Sequence, residues 1–238
     1  MKSACLTINE LTEEIRESMF ALLNRFFWNV THEAFASDLQ SKDRVVMINE
    51  AEALVGFSTF TLRPALDLDN QPASILCSGD TIVDPQYWGS SALGRTLIQS
   101  AWELHRQTKN DSFWWLLITS GPRTWGVLPT FFLDFHPHPN HAVNGKLETC
   151  TRSLCHERWP GCLDEESGLI RLPHPQRLRP PLDIMPESRK LDSGFQWYER
   201  TNPGWKSGDE LPSLVRIEPS NLTRAGWRYL SGYLEAYR

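Results

Sequence analysis

The chain has 238 residues, a net charge of −5 at neutral pH, 40% apolar residues and 22% charged residues. This composition is enough for a packed core and excludes wholesale disorder, and the acidic balance argues against nucleic acid as a partner. The longest apolar run, residues 113–118, is too short to span a bilayer, so we expect no membrane partner. Five cysteines and no recognisable secretory signal predict a reduced, cytoplasmic protein.

The first third of the chain predicts a strand, a long helix and a hairpin. Residues 4–8 read as a strand, and Asn9 is placed to cap a helix whose apolar residues recur at helical spacing from Leu11 to Phe27. Residues 33–39 predict a short second helix. Residues 44–48 and 54–62 alternate as the two strands of a hairpin, and residues 63–72 read as the next connection.

Residues 73–108 contain the most informative pattern. A strand ends at Asp84-Pro85, a loop of small residues follows, and a helix begins near Leu93 and runs to about Gln107. Small residues before a helix N-terminus present unpaired backbone N–H groups to an anion, although many such turns need glycine for geometry alone. A buried strand at 113–118 follows, then a helix beginning at Pro122 and interrupted at Pro129.

The segment 83–94, VDPQYWGSSALG, resembles the acyl-CoA signature of the GCN5-related N-acetyltransferase (GNAT) superfamily, with Gln86, Gly89 and Ser91 at the motif positions. The resemblance covers residues 4–135 and implies an α/β (α+β) fold, with a mixed, mostly antiparallel sheet flanked by helices. It also implies that the strands at 73–83 and 113–118 splay apart to admit an acyl-pantetheine arm. The donor would be acetyl-CoA or another acyl-CoA, or an acyl carrier protein, and the implied donor-binding residues are Ile82, Val83, Gln86, Trp88, Gly89, Ser90, Ser91, Ala92 and Gly94.

The resemblance implies a general base but lacks the usual general acid. Asp80 stands where family members often carry the carboxylate that deprotonates the acceptor amine; alternatively it caps a turn after Gly79. Phe131 or Phe132 stands where the family usually has a tyrosine, and phenylalanine donates no proton. His32 and Glu33 fall where the family grips its acceptor, and they also fit an ordinary solvated loop.

Residues 136–162 concentrate histidine and cysteine. Zinc prefers these side chains, but no C-x-x-C pair is present, so we predict no metal and keep a zinc-stapled arm as an alternative. The cluster consists of His136, His138, His141, Cys150, Cys155, His156 and Cys162.

We divide the chain into a GNAT-like core, residues 1–135, and an extension, residues 136–238, packed on the same domain. The extension predicts a proline-rich irregular arm at 160–192, a hairpin of strands at 194–200 and 214–217, and a last helix capped by Ser220. Trp197 and Tyr198 on this hairpin are candidate substrate-binding residues. Ten tryptophans predict core packing or, alternatively, the lining of an apolar groove.

The sequence therefore predicts an enzyme that transfers an acyl group from a thioester to a small-molecule amine. Two alternatives stay open. One keeps the fold but hydrolyses or decarboxylates a carrier-bound thioester, and the other binds acyl-CoA as a sensor without turnover.

Overall fold

A computed structural model describes residues 1–88, 92–108, 112–184 and 187–234. Within these residues, a six-stranded sheet has the strand order β1-β3-β4-β5-β6-β8, and a separate pair joins β2 to β7. The strands are β1 (Lys2–Thr7), β2 (Phe27–Trp28), β3 (Arg44–Glu50), β4 (Ala53–Leu66), β5 (Pro72–Val83), β6 (Ser112–Thr119), β7 (Arg177–Leu178) and β8 (Leu211–Arg216).

Neighbouring strands of the large sheet are antiparallel, except that β5 and β6 are parallel. The predicted mixed, mostly antiparallel sheet flanked by helices is confirmed. The helices are α1 (Glu13–Phe26), α2 (His32–Gln40), α3 (Ala92–Gln107), α4 (Pro122–Trp125), α5 (Val127–Phe131), α6 (Gly145–Arg158), α7 (Glu187–Lys190), α8 (Ser193–Thr201) and α9 (Arg224–Leu234). Among the helices of the described ranges, none is both long and apolar enough to cross a membrane.

Helices cover both faces of the sheet, because its central strands are apolar on both sides. On β3, Val46 packs in the core with α3 and α9, whereas Val45 packs with α1 and α2 on the opposite face. On β6, Trp115 belongs to the first core, and its neighbour Trp114 packs with residues of α6. The buried Trp102, Trp114 and Trp115 therefore serve the core.

Two boundaries in the first half differ from prediction. Thr12, rather than Asn9, caps α1, because its hydroxyl accepts a hydrogen bond from the Ile15 N–H at 3.3 Å. Residues 63–66, predicted as a connection, continue β4. The pairing of β4 with β3 stops at Phe60, opposite the first residue of β3, Arg44. Residues 63–66 are therefore an edge segment on that side, where Pro64 is tolerated.

The predicted strand at 194–200 is wrong, because these residues form helix α8. The carboxylate of Asp192 accepts hydrogen bonds from the N–H groups of Gly194 at 3.0 Å and Phe195 at 3.2 Å, which begins a helix. The predicted hairpin is therefore absent from the described residues. β8, predicted at 214–217, instead pairs antiparallel with β6 and forms an edge of the large sheet.

Two helix boundaries near the C-terminal half also differ. Thr223 lies at the start of α9 and accepts a hydrogen bond from the Gly226 N–H at 3.1 Å, whereas Ser220 lies in a preceding 3-10 turn. The break after Pro122 falls at Gly126, and Pro129 lies within the first turn of α5, where its missing N–H costs nothing.

Candidate functional site at the split between two strands

The parallel strands β5 and β6 separate at the centre of the sheet. Their pairing runs from Ala73 opposite Ser112 to Cys77 opposite Leu116, and within the described residues it goes no further. Both strands nevertheless continue, β5 to Val83 and β6 to Thr119. The predicted divergence of these two strands is confirmed.

A β-bulge on β5 lies at the start of the split. Ser58 pairs with Thr81 and Phe60 pairs with Ser78, so Gly79 and Asp80 together face the single residue Thr59. A bulge bends the strand that carries it, which turns β5 away from its neighbour. Only glycine fits at position 79, because a Cβ there would lie 2.6 Å from Thr59 Oγ1.

A cavity of about 910 Å³, which we call the large cavity, opens on one side of the split. The end of β5, the turn after it, α3 and the segment after β6 form its walls, and the extension closes it. Lining residues include Ile82, Val83, Tyr87, Trp88, Gly94, Leu97, Arg123, Trp125, Phe131, Leu178, Arg189, Asp192, Arg228 and Tyr229.

The large cavity is cationic, because Arg123, Arg189 and Arg228 line it with Asp192 as the counter-charge. Arg123 lies against the Trp88 ring, with its guanidinium carbon 3.9 Å from the ring centre. Burial, with a smaller effect of Arg189, lowers the pKa of Arg123, but an arginine keeps its charge at neutral pH. Arg189 forms an ion pair with Asp192 at 3.6 Å.

A second cavity of about 270 Å³, the small cavity, lies next to the large one and is lined by several carboxyl groups. Asp80 from the bulge and Glu210 from the residue before β8 both line it, with Asp38, Lys42 and Gln176. Lys42 is bound to Asp38 at 2.7 Å, and its side chain is 6% exposed.

The two carboxyl groups of Asp80 and Glu210 hold protons unusually strongly. Burial, with a further contribution from the Asp38 charge, raises the pKa of Asp80 to about 6. Burial raises the pKa of Glu210 to about 8, and the charge on Asp80 adds to this shift. Of the two coupled groups, Asp80 is the more acidic, and Glu210 is the one that keeps its proton to higher pH.

Of the residues that the structure describes, four line both the large and the small cavity: Phe27, Thr81, Ser120 and Thr124. Thr81 is on β5, and Ser120 directly follows β6, so the shared wall lies at the split. Groups bound in the two cavities would therefore meet between the separated strands.

The structure places the predicted donor residues in three groups. Ile82, Val83, Trp88 and Gly94 line the large cavity. Gln86 is exposed in the turn after β5, and Ala92 packs at the start of α3 against Ile48 and Val55. Gly89, Ser90 and Ser91 lie outside the described residues.

The predicted acceptor residues are apart from Asp80. His32 and Glu33 are exposed on α2, and His32 Nε2 lies 3.2 Å from the Glu17 carboxylate. Trp197 stacks on Trp125, and Tyr198 is buried in the core. Among the described lining residues of the two cavities, these four do not appear.

The two phenylalanines at the expected acid position play different parts. Phe131 lines the large cavity and packs on α3, where a Cβ at Gly94 would lie 3.1 Å from its ring. Phe132 is buried against Trp115.

The histidines and cysteines of residues 136–162 are dispersed in the structure. Cys155 is buried in the α6 core, His141 Nδ1 lies 2.9 Å from the Asp134 carboxylate, and His156 lies 2.9 Å from Glu165. Across the described parts of the chain, no group of three or more His, Cys, Asp or Glu side chains is arranged to hold a metal ion.

Sequence reasoning missed Glu210 and the three cavity arginines. Glu210 has no motif around it, and a strand predicted to begin at 214 left it in a turn. Arg189 and Arg228 lie in the extension, for which the resemblance offers no pattern. Three of the ten tryptophans, Trp88, Trp125 and Trp205, do line the large cavity, as the groove interpretation predicts.

No protein-family model and no curated protein matches the chain. One similar solved structure is a GNAT family N-acetyltransferase from Escherichia coli in complex with CoA. The match has 14% sequence identity and a TM-score of 0.39, and it covers 56% of this chain and 70% of that chain. The ribosomal-protein-S18-alanine N-acetyltransferase from Escherichia coli matches at 15% identity, 60% and 80% coverage and a TM-score of 0.40.

An Enterococcus faecalis protein, described as conserved, of unknown function and a probable N-acyltransferase, matches at 15% identity with a TM-score of 0.38. That match covers 50% of this chain and 30% of that one. Within the described residues, the strand order, the one parallel pair and the split between its two strands agree with the mixed, mostly antiparallel sheet that the sequence predicts.

Proposed function

We propose that the chain is an N-acyltransferase, which moves an acyl group from an acyl-CoA thioester to a small-molecule amine. The observation that carries this proposal is that two cavities of different charge meet at the split between β5 and β6. A cationic cavity suits a donor that carries phosphates, and a cavity with carboxylates suits an amine. Transfer requires the thioester carbonyl and the amine nitrogen to meet, and the shared wall offers such a place.

The large cavity is proposed as the donor site. The phosphates of CoA would be bound by Arg123, Arg189 and Arg228. One guanidinium group can donate two parallel hydrogen bonds to two oxygens of a phosphate. Beyond Cys77, and within the described residues, β5 has no strand partner on its β6 side, so its backbone there is available to the amides of a pantetheine arm. Ile82 and Val83 are the residues that this arm would follow. The roles proposed for Gln86, Ala92 and the loop at 89–91 stay predictions.

The acyl group would lie against apolar side chains of the large cavity. Leu97, Trp125, Phe131 and Leu178 provide an apolar wall there. Apolar side chains bind an acyl chain by removing its surface from water, and each buried CH₂ contributes about 0.8 kcal/mol. A cavity of about 910 Å³ is compatible with acyl chains longer than acetyl.

The small cavity is proposed as the acceptor site, with Asp80 as general base. An amine attacks the thioester carbonyl carbon, and Asp80 takes the proton that the nitrogen loses as the new C–N bond forms. A carboxyl with a pKa of about 6 is mostly ionised at pH 7, yet is basic enough to accept that proton. Backbone N–H groups near Ile82 and Val83 would stabilise the oxyanion.

Thioester consumption tests this proposal. Acetyl-, octanoyl- and palmitoyl-CoA are each incubated with a panel of primary amines, while thiol release and amide product are measured by mass spectrometry. We expect both products from the wild type, and their formation at least about 10²-fold slower in Asp80→Asn. Thiol release without amide would replace acyl transfer with hydrolysis, the alternative suggested by Phe131 or Phe132 at the position of the usual tyrosine. Intact thioester in every reaction would contradict an enzymatic role.

A further inference from the structure

We propose that Glu210 is the general acid of this site and donates a proton to the departing thiolate while Asp80 accepts one from the amine. This inference rests on the proposed acyl transfer and names the residue that supplies the missing acid. The two carboxyl groups come from distant parts of the chain, the bulge on β5 and the residue before β8, and line the same small cavity.

The fold holds Glu210 next to the split. Its N–H donates to the Ile170 carbonyl and its carbonyl accepts from the Ile170 N–H, both at 2.9 Å. The next residue, Leu211, pairs with Thr119 at the end of β6. Glu210 thus stands beside the end of β6, and Ser120, which follows that end, lines both cavities. A thioester sulfur bound where the two cavities meet would therefore lie near Glu210.

The charges around the pair favour one proton shared between two carboxyls. Among the described residues, the other charged and titratable groups lining the same cavity are Asp38 on α2, Lys42 after α2, Cys77 on β5, Arg158 on α6 and His174 on the arm. Lys42 is engaged by Asp38, which limits its ability to neutralise Asp80 and Glu210 together. Two carboxylates that line one small, buried cavity repel each other, which favours a state in which one of them keeps its proton.

Of the tyrosine side chains near the split, Tyr198 is the least suited to this step. Tyr198 is fully buried, and its hydroxyl donates to the Thr119 carbonyl at 2.6 Å. Burial also raises the pKa of Tyr198. Tyr87 and Tyr229 line the large cavity but do not appear among the described residues of the small one. Tyr229 lies against Phe131, with ring centres 5.8 Å apart, and is therefore the competing candidate to test.

The proposed step balances without any further reactant. The amine lone pair forms the C–N bond, the C–S bond breaks, and the electron pair of that bond leaves on sulfur. Glu210 gives its proton to the sulfur, and Asp80 receives the proton of the former amine. The proton then returns from Asp80 to Glu210, directly or through solvent, which restores the pair.

The test compares two donors that differ in their need for an acid. The leaving group of acetyl-CoA is an alkyl thiolate of high basicity. The leaving group of an acetyl aryl thioester is a weakly basic thiolate, which needs little protonation. Both are supplied to the wild type, Glu210→Gln, Tyr229→Phe and the exposed control Glu166→Gln. Acetyl-CoA binding to each protein is measured separately by isothermal titration, and turnover is followed with a panel of primary amines.

We expect Glu210→Gln to bind acetyl-CoA like the wild type and to lose on the order of 10²-fold in kcat with it, but to lose far less with the aryl thioester. Equal losses with both donors would make Glu210 a structural or amine-binding residue and overturn its role as acid. A donor-selective loss in Tyr229→Phe would overturn it as well. If the wild type binds no thioester, or binds it without turnover, the proposed acyl transfer is contradicted. If Glu210→Gln keeps the activity of the wild type, only the proposed role of Glu210 as general acid is contradicted.

Discussion

The guanidinium carbon of Arg123 lies 3.9 Å from the centre of the Trp88 ring, and the Trp88 indole N–H donates to the Val83 carbonyl at 2.9 Å. These contacts join α4 to the turn after β5. They also hold one cation of the large cavity beside the end of β5, where the proposed donor would lie. The cation is therefore positioned before any ligand arrives, which reduces the entropy lost on binding.

Replacing Arg123 with alanine should weaken acetyl-CoA binding without unfolding the protein. A hydrogen bond between charged groups contributes about 1.5–3 kcal/mol, so we expect the Kd to rise by roughly 10- to 100-fold. Isothermal titration measures the change, with the exposed Arg200→Ala as the matched control. Equal affinities for wild type and Arg123→Ala would remove Arg123 from the donor site.

Asp80→Asn should abolish the acidic limb of the pH–rate profile. Asp80 with a pKa of about 6 becomes a working base as the pH rises through that value, so kcat/KM of the wild type should increase between pH 5 and pH 7. The asparagine variant should be at least about 10²-fold slower and lack this limb. A variant that keeps the limb and the rate would show that another group accepts the proton.

Glu210 should make the folded protein less stable as the pH rises from 6 to 8. Its pKa in the folded state is raised from 4.5 to about 8, so between these values the folded state binds more protons than the unfolded state. Stability therefore falls with rising pH, by at most about 1.4 kcal/mol per pH unit.

Urea unfolding at pH 6, 7 and 8 measures this slope. Glu210→Gln should flatten it, because the amide does not titrate, whereas the exposed Glu166→Gln should keep the slope of the wild type. The pKa of Asp80, about 6, confines most of its own contribution to lower pH. A slope that Glu210→Gln leaves unchanged would mean that Glu210 does not hold its proton in the folded state.

Gly79→Ala should disturb the bulge that carries Asp80. The added Cβ would lie 2.6 Å from Thr59 Oγ1, so we expect a loss of about 1–3 kcal/mol in stability and a fall in activity. Gly145→Ala is the control, since a Cβ there meets nothing within 4 Å. Thr59→Ala should restore much of the loss in the double variant. If Gly79→Ala alone is as stable as the wild type, the glycine is not required by this contact.

The element order up to residue 135 was predictable because its signals are local. Alternating strands, the proline after Asp84 and the helical spacing from Leu93 each follow from a few neighbouring residues. The divergence of β5 and β6 was also anticipated, but through family resemblance rather than from periodicity. The bulge itself has no sequence signal beyond Gly79.

The extension was less predictable because its structure depends on single caps and long-range contacts. Residues 194–200 contain Phe, Trp and Tyr, which favour strands, yet the Asp192 cap begins a helix there. Glu210 reaches the small cavity only because β8 pairs with β6. No local pattern predicts a pairing between residues so far apart in the chain.

Indole resonances offer the most direct test of the proposed donor site. Acetyl-CoA is titrated into protein labelled with ¹⁵N at its tryptophans, and the indole signals are assigned by single Trp→Phe substitutions. The account predicts shifts at Trp88, Trp125 and Trp205, which line the large cavity, while the core residues Trp102 and Trp114 stay unchanged. Unmoved cavity signals at saturating acetyl-CoA, or shifts confined to the exposed Trp28 and Trp227, would contradict the donor site.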